Sequence, residues 1–509
     1  IELRSRWREL ATRSALGARR TRIIRELSFE GVGLAIAALF AGTWLAMVSL
    51  AALRAVGVQA VPQLADARID LRVIVVASAV AITTSIVIAM LSGWVATQRA
   101  PAGYLTTAGA SQRRAKEGTF AARLIVGVQF SLASFLVIGA LLLSVNLRRL
   151  STVDAGFDPT GRFVAAIEVG SDANDPATAI PIFSNIADRV RRLPRVRDVA
   201  IASAIPFSGG NSNGAMTVEH SGRADTVSAR FSSMLPGFLE TLGLRVIAGR
   251  SIDDSDRTGN EPVAVVNETT AKRFFPLGSV GGHVVVGDTR FTVVGVVSDV
   301  HHTSLVDSTM ATVYFAERQK HSRFLQLLIR TNCADASSRR CADMVSLAML
   351  RAAVADVALG AVVVAVESMP TLVQRTFAGD RFRAAMIGMF AAVAILITVF
   401  GAYTTTARAI QLARADIAIR LALGATNAAT IGRFSSDIGI VAAVGTLVGS
   451  LGAMYAGKFV TPFLSLTSAS EPVVYLTVLL GLPAIALATA VLASGAITRI
   501  SPVSVLKSA

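Results

Sequence analysis

Six charge-free apolar runs, each long enough to cross a bilayer, constrain this chain more than any other feature. They are Gly31–Leu53, Val73–Thr97, Leu124–Leu147, Ala384–Ala407, Ile438–Gly457 and Val473–Thr498. A spanning helix needs about 20 apolar residues. A buried helix of a soluble protein rarely stays uncharged over that length, and six of them would need a very large soluble core. Charged residues make up 16% of the 509, against about 25% in soluble domains. The expected fold class is therefore an α-helical polytopic membrane protein with six transmembrane helices. A large α+β extracytoplasmic domain is expected between the third and fourth.

The formal net charge of +15 could point to nucleic acid or to anionic lipid. Its placement decides. Arg4, Arg6, Arg8, Arg13, Arg19, Arg20, Arg22 and Arg25 precede the first run. Arg99, Arg113, Arg114, Lys116 and Arg123 separate runs two and three, and Arg408, Arg414, Arg420 and Arg433 separate runs four and five. Arg499 and Lys507 follow the last. The opposite side carries Arg54, Arg68 and Arg72 in one short loop and Lys458 in the other. Positive charge marks cytoplasmic loops, so both termini are expected in the cytoplasm of a bacterial inner membrane. The basic charge then reports topology, and no stretch interleaves bases with aromatics as a single-strand binder would. The partner implied is the lipid bilayer, with no nucleic acid.

The long segment 150–380 alternates helical and strand signals. Ile182–Leu193 has helical apolar spacing before Pro194, while Val263–Asn267, Val284–Val286 and Phe291–Val297 are β-branched runs. Gly281-Gly282 and Gly287-Asp288 bracket one of them as turns. Both cysteines, Cys333 and Cys341, fall here, and an oxidising compartment favours a disulfide between them over two buried thiols.

A repeat is embedded in the membrane portion. Glu9-Leu-Ala-Thr-Arg-Ser-Ala-Leu-Gly-Ala18 and Asp416-Ile-Ala-Ile-Arg-Leu-Ala-Leu-Gly-Ala425 share an acidic residue, Ala, Arg and Ala-Leu-Gly-Ala at identical spacing. Two apolar runs follow each copy, and each pair closes on Pro-x-x-x-Leu, at Pro101–Leu105 and Pro502–Leu506. The chain thus reads as a duplication. Its second unit holds a span, an outer domain, a span, the repeated segment and two spans. The first unit begins at the segment, and the chain opens on Ile1 with no signal peptide and cleavage site, so an N-terminally incomplete sequence is expected. The domain boundaries expected are 1–106 for the end of the first repeat, 107–149 for a cytoplasmic linker and span, 150–380 for the outer domain and 381–509 for the second membrane domain.

Each repeated segment places an acid four residues before Arg13 or Arg420, the order that suits an i,i+4 ion pair on a helix. Ile417, Leu421, Gly424, Ala428 and Ile431 can share one face of a helix over 413–431. Gly17 and Gly424, flanked by alanines, let another backbone come close. Two readings fit these residues: a docking helix for a cytoplasmic partner, or an interfacial helix packed on its own bundle.

This segment resembles the cytoplasmic stretch of MacB/FtsX-type permeases of ABC transporters. Pro236-Gly-Phe-Leu-Glu-Thr-Leu-Gly-Leu244 with Ala248-Gly-Arg250, Val265-Val-Asn-Glu-Thr-Thr-Ala-Lys-Arg-Phe-Phe-Pro276 and Val293-Val-Gly-Val-Val-Ser-Asp-Val300 resemble motifs of the family's periplasmic core domain. The duplicated layout resembles tandem permeases of Acidobacteria-type genomes. The resemblance implies a permease that pairs with a separate cytoplasmic ATPase, a dimer. ATP and Mg²⁺ are used by that partner, and this chain binds no cofactor. It further implies mechanotransmission, in which work done inside moves the outer domain. The coupling residues implied are Glu9, Arg13, Ala15, Leu16, Gly17 and Ala18 in one copy, and Asp416, Arg420, Ala422, Leu423, Gly424 and Ala425 in the other. A periplasmic adaptor or envelope protein is a further implied partner.

Catalytic signals are weak, and the chain reads as no enzyme. Gly452-Ala-Met-Tyr-Ala-Gly457-Lys458 starts like a P-loop, but Phe459 stands where Ser or Thr must hold Mg²⁺. His301 and His302 follow Asp299, fewer ligands than a metal site needs, so no metal is expected. Ser203 and Ser208 lack the Gly-x-Ser-x-Gly elbow. The absence of charge inside the runs, with no proton relay or ion site, argues against a secondary transporter, as does the large outer insertion. Three functions stay open: a transport permease for efflux or lipoprotein-type extraction, a mechanotransmitter that regulates an envelope enzyme, and a receptor or scaffold without an ATPase.

Overall fold

The computed structural model describes residues 20–57, 68–98, 108–169, 175–210, 212–220, 223–276, 278–306, 309–322, 324–332, 345–357, 360–461 and 464–495. It divides into two units, one of residues 1–147 with 379–509 and one of residues 148–378.

In the membrane unit the apolar runs form long helices: α1 (Arg20–Gly57), α2 (Leu71–Gln98) and α3 (Ala108–Leu150). Chain order continues, after the other unit, with α9 (Ala378–Leu412), α10 (Arg414–Ala422), α11 (Asn427–Val460) and α12 (Pro472–Ser494). Backbone polar groups have no water partners in hydrocarbon, so an uninterrupted helix is the form these runs can take. Several span hydroxyls bond within their own helix, as Ser144 Oγ does to Ala140 O (2.7 Å) and Thr406 Oγ1 to Ala402 O (2.8 Å). Among the described residues, five helices are long and apolar enough to cross a membrane: Ile36–Ala55, Ala122–Leu150, Ala378–Leu412, Asn427–Phe459 and Pro472–Ser494. The sixth expected span lies on α2, whose apolar described stretch is Leu71–Thr84. The protein is a polytopic membrane protein, with five of its six expected spans meeting the length test.

α3, α9, α11 and α12 share a core of Phe130, Ile138, Leu142, Ala402, Ile438, Ala442, Leu482 and Ala486. α3 and α11 approach at backbone distance. A Cβ on Gly445 would overlap Gly127 O, and one on Gly449 would overlap Ser131 O and Ser134 Oγ. Ser134 Oγ uses that closeness to donate to Thr446 O (3.1 Å). Small residues at i and i+4 bring membrane helices together because lipid offers no hydrophobic drive between them. Phe400, Leu480 and Leu492 face outward.

The α+β unit is built in two layers of pairing. β1 (Arg162–Glu168), α4 (Pro176–Arg191), β2 (Val196–Ala202), β10 (Gln326–Thr331), α7 (Leu347–Ala355) and β11 (Val362–Ser368) form an antiparallel sheet in the order β11-β1-β10-β2. This is the split βαβ arrangement of ferredoxin-like folds. α4 and α7 cover one face through Phe183, Ile186, Val190, Leu350 and Val354. α4 starts earlier than the apolar spacing alone implies, because Asp175 caps it by accepting from Ala177 N (3.2 Å) and Pro176 fits the first turn.

Between β2 and β10 the chain inserts β3 (Ser212–His220), β4 (Arg223–Met234), α5 (Phe238–Leu242), β5 (Val246–Gly249), β6 (Val263–Asn267), α6 (Glu268–Phe274), β7 (His283–Val286), β8 (Thr289–Val297) and β9 (Thr312–Ala316). The pairings β4–β3, β3–β7, β7–β8, β8–β6, β6–β9 and β9–β4 close a ring, so these six strands form a barrel, with β5 paired onto β8 outside the ring. Met216, Val218, Val266, Val284, Phe291, Val313 and Phe315 fill it. α8 (Met369–Thr376) ends the unit.

Candidate functional site

The expected helix over 413–431 is two helices with a knuckle between them. α9 turns into α10 at Ala413, whose N–H reaches Ala409 O (3.1 Å) and Ile410 O (3.2 Å). α10 is amphipathic. Ile417 and Ala418 are buried, and Ile417 packs with Ile410 and Ala413 behind it and with Ile431 and Phe434 of α11. Asp416 and Arg420 pair on the solvent side at 3.0 Å, both well exposed. Such a pair contributes only tenths of a kcal/mol, so apolar burial holds the helix down.

Gly424 stops α10. Its φ of +94° is left-handed, and Ala425 N reaches back to Arg420 O (3.0 Å), the six-to-one bond that closes a helix end. Thr426 then caps α11 by accepting from Ala429 N (3.3 Å). Ala-Leu-Gly-Ala is thus a stop and restart signal. Gly424 serves the backbone conformation of this turn, and within the chain a Cβ there would meet nothing within 4 Å. Ala422, Leu423, Gly424 and Ala425 are all exposed, Leu423 by 82% and its neighbour Ile419 by 49%. Ile419 escaped the sequence reading; its signal was an apolar residue on the polar face of an amphipathic segment. Glu9, Arg13, Ala15, Leu16, Gly17, Ala18, Cys333 and Cys341 lie outside the described residues.

Beside the knuckle, Arg123 of α3 meets Asp437 of α11 at 2.5 Å. A cavity of about 30 Å³ adjoins this pair, lined also by Thr406 and Arg408 of α9 and by Phe434. Phe434 belongs to both the α10 cluster and this cavity wall. The arrangement offers a small apolar prominence, Ile419 and Leu423, fixed to two membrane helices. Gly452–Lys458 lies inside α11 and has no strand before it.

The sequence motifs of the α+β unit knot it together. Gly237 and Gly243 are left-handed at the ends of α5 (φ +88° and +84°), and buried Arg162 donates from Nε to Thr241 O (2.9 Å). Gly249 and Gly295 meet where β5 crosses β8, each leaving no room for a Cβ beside the other strand's backbone. Arg250 forks onto buried Asp256 at 2.7 and 2.8 Å. Asp299 accepts from Asn267 Nδ2 (2.7 Å) and from Thr269 N (3.0 Å) and Oγ1 (2.7 Å).

Two titratable sites stand out in this unit. His302 lines a cleft of about 360 Å³ with Arg230, Arg273, Ser304 and Thr309. Burial, with the charges of Arg230 and His301, pushes it down to about 3. Glu317 is fully buried, accepts from Ser322 N (2.9 Å) and meets His321 Nδ1 at 2.6 Å. Burial pushes its carboxyl up to about 8. Among the described residues no three His, Cys, Asp or Glu gather as metal ligands. Ser203 Oγ accepts from Ser233 N (2.8 Å), and Ser208 Oγ lies 2.8 Å from Ile205 O and 2.7 Å from Gln326 Oε1. Both hydroxyls serve the fold.

Comparison with known proteins matches a MacB-like periplasmic core domain to residues 122–355 and an FtsX-like permease C-terminal domain to residues 388–502. The periplasmic region of MacB from Actinobacillus actinomycetemcomitans is similar at 18% identity and a TM-score of 0.29, over 43% of this chain and 93% of that one. A domain of a putative permease from Porphyromonas gingivalis is similar at 16% identity and 0.25, over 39% and 84%. The extracellular domain of the noncanonic ABC-type transporter YknZ from Gram-positive bacteria is similar at 13% and 0.26, over 40% and 100%. No curated protein sequence matches the chain.

Proposed function

We propose that this chain, an ABC transporter-type permease by its MacB-like and FtsX-like domains, docks a separate cytoplasmic ATPase on the α10 knuckle and passes that motion to its periplasmic domain. The families matched are transport components. The observation that carries the reading is the exposed Ala422–Ala425 turn, held by buried Ile417 against both α9 and α11. A partner that pushes on Leu423 pushes on two membrane helices at once. ATP and Mg²⁺ belong to the partner, and none is assigned to this chain. The basic loops support a cytoplasmic position for both termini and α10, with the bilayer as the second partner. Export or lipoprotein-type extraction is the process assigned.

The duplication is part of this proposal. Counted without a gap from Ala18 and Ala425, α1 and α11 occupy corresponding positions, and each runs into an antiparallel partner, α2 or α12. Two such units in one chain would supply both halves of a pseudo-symmetric assembly.

The test is reconstitution with a family-type ABC ATPase subunit, reading complex formation and ATPase rate. Wild type is expected to bind, and Leu423→Asp to lose at least tenfold in affinity, as expected for a charge placed in an apolar contact. Leu423 is the better probe than Gly424, whose substitution would disturb the helix end itself. Equal binding by both proteins would refute the knuckle as the docking surface.

A further inference from the structure

On β4, Ala229 points into the barrel core, so Ser228 and Arg230 on either side of it point outward. Arg230 is nevertheless only 5% exposed. It stands in parallel register with Thr312 of β9, and its N–H donates to Ala311 O (2.8 Å). The segments Val300–Ser304 and Thr309–Ala311 line the same cleft, together with the end of α6. The cleft holds about 360 Å³, within the range of about 300–1,000 Å³ typical of small-molecule sites.

The charge around this cleft is one-sided. Arg230 brings a fixed positive charge to its wall. Arg273, in the last turn of α6, brings a second; it is exposed, and its guanidinium lies 5.2 Å from the Phe274 ring centroid. His301 and His302 add two imidazoles, and Ser228, Ser304 and Thr309 add hydroxyls. Among the described residues no Asp or Glu lines the cleft. Asp299, next to Val300 in the wall, already accepts from Asn267 and Thr269. His302 Nε2 is buried with no hydrogen-bond partner among the described residues. Native folds rarely leave such an atom unsatisfied, and it marks a place where a bound group belongs. Phe274 and Met310 give the cleft an apolar side.

We propose that this cleft binds an organic oxyanion, a phosphate or carboxylate whose oxygens meet Arg230 and Arg273 and whose apolar part lies on Phe274 and Met310. A guanidinium presents paired N–H donors that match either head group. A bare head group would fill only a small part of the cleft, and the apolar side then has a use. Burial first, and then the charges of Arg230 and His301, keep the His302 ring uncharged at neutral pH. A bound anion relieves that repulsion, and the tautomer with its hydrogen on Nε2 can donate to it. The site is built within the α+β unit alone and does not depend on a docked ATPase.

The experiment is isothermal titration calorimetry on the full chain in phosphatidylcholine nanodiscs at neutral pH. Phenyl phosphate and benzoate are the probes, and phenethylamine is the cationic control. At least one of the two anions is expected to bind saturably with a Kd below about 1 mM, and the tighter one names the head group. Arg273→Gln, at an exposed position, is expected to weaken that binding at least tenfold with an unchanged melt by circular dichroism. Arg290→Gln removes an equal charge from β8, outside the cleft lining, and is expected to leave the affinity within twofold. Inorganic phosphate or acetate should bind at least fivefold more weakly than its phenyl counterpart. Submicellar dihexanoylphosphatidylglycerol separates the sources: displacement of the probe assigns the site to a lipid headgroup, no displacement assigns it to a soluble anion, and both uphold an oxyanion site. No binding of either anion would overturn the proposal. So would equal losses in the two arginine variants, or equal affinity for phenethylamine or for the bare head group. No ATPase or nucleotide is present, so failure of the knuckle assay and failure of this one are separate results.

Discussion

Replacing Gly449 by alanine should separate α3 from α11, and the structure sets the size of the effect. The new Cβ would overlap the Ser131 carbonyl oxygen and Ser134 Oγ. A carbon next to a carbonyl oxygen needs about 3.3 Å, so the seam must open by about 1 Å. The obstruction includes backbone, which cannot rotate aside. Opening stretches the Ser134 Oγ–Thr446 O bond, now 3.1 Å, whose loss in a membrane bundle costs about 0.6–1.7 kcal/mol. Overpacking adds its own strain, giving about 1–3 kcal/mol in total. Gly445→Ala faces the Gly127 carbonyl and should cost a similar amount. Gly432 and Gly481 are the controls. They sit in α11 and α12 with nothing within 4 Å, so alanine there should leave stability unchanged or raise it by up to about 1 kcal/mol. The assay is unfolding in bicelles by SDS titration, followed by circular dichroism. If Gly449→Ala unfolds at the same point as Gly432→Ala, the seam is not backbone-limited and the reasoning is wrong.

Other outcomes follow from the α+β unit. Glu317 has a folded value of about 8 against an ordinary 4.5; the folded state holds a proton the unfolded chain has lost. Its contribution is fully present below pH 4.5 and is lost as pH rises through about 8, on the order of 5 kcal/mol. Thermal unfolding of the full chain in detergent should therefore show a lower midpoint for this unit at pH 9 than at pH 6, and Glu317→Gln should flatten the difference. His302 runs the other way: its folded value of about 3 lies below the ordinary 6.5, so stability is lost as pH falls through that window, and His302→Gln should blunt the acid limb. Asp256→Asn replaces a buried acceptor of the Arg250 fork and should cost about 1–2 kcal/mol in chemical denaturation, discounted because Arg250 is half exposed.

The spans were legible because a membrane helix needs only uninterrupted apolar content, a property of single segments. β6 and β8 were legible for a related reason: Val263–Asn267 and Phe291–Val297 are β-branched runs with turn residues at their ends. Ring closure was not, because β4–β9 and β6–β8 join strands far apart in sequence, and local pattern carries no record of such pairing. The knuckle was read as one continuous helix because a glycine within an apolar period fits both a small-residue contact and a helix stop. The backbone angle at Gly424 is what reveals the stop. The motifs were legible as motifs, but their work was not: Asp299 beside two histidines was too small a set for a metal site, and only the fold shows that it receives Asn267 and Thr269.

A lever transmits force only if each joint along it is stiff, and on the proposed reading there are two such joints. The first is Ile417, which fixes α10 to Ile410 of α9 and to Ile431 and Phe434 of α11. The second is the glycine seam, where α11 moves α3 through backbone contact. Spatial succession alone does not establish coupling, and a double-mutant cycle does. Ile417 and Gly449 share no partner among the described residues, so the stability costs of Ile417→Ala and Gly449→Ala should add within about 0.5 kcal/mol. Their effects on permease-stimulated ATPase should not add. If force passes through both joints in series, loosening either one already breaks transmission, and the double variant should be no worse than the poorer single. Additive losses of stimulation would mean two independent routes and would refute the serial lever. Additive losses of stability beside non-additive losses of stimulation would separate a mechanical role from a merely structural one, because a protein that was only weakened would show both effects in parallel.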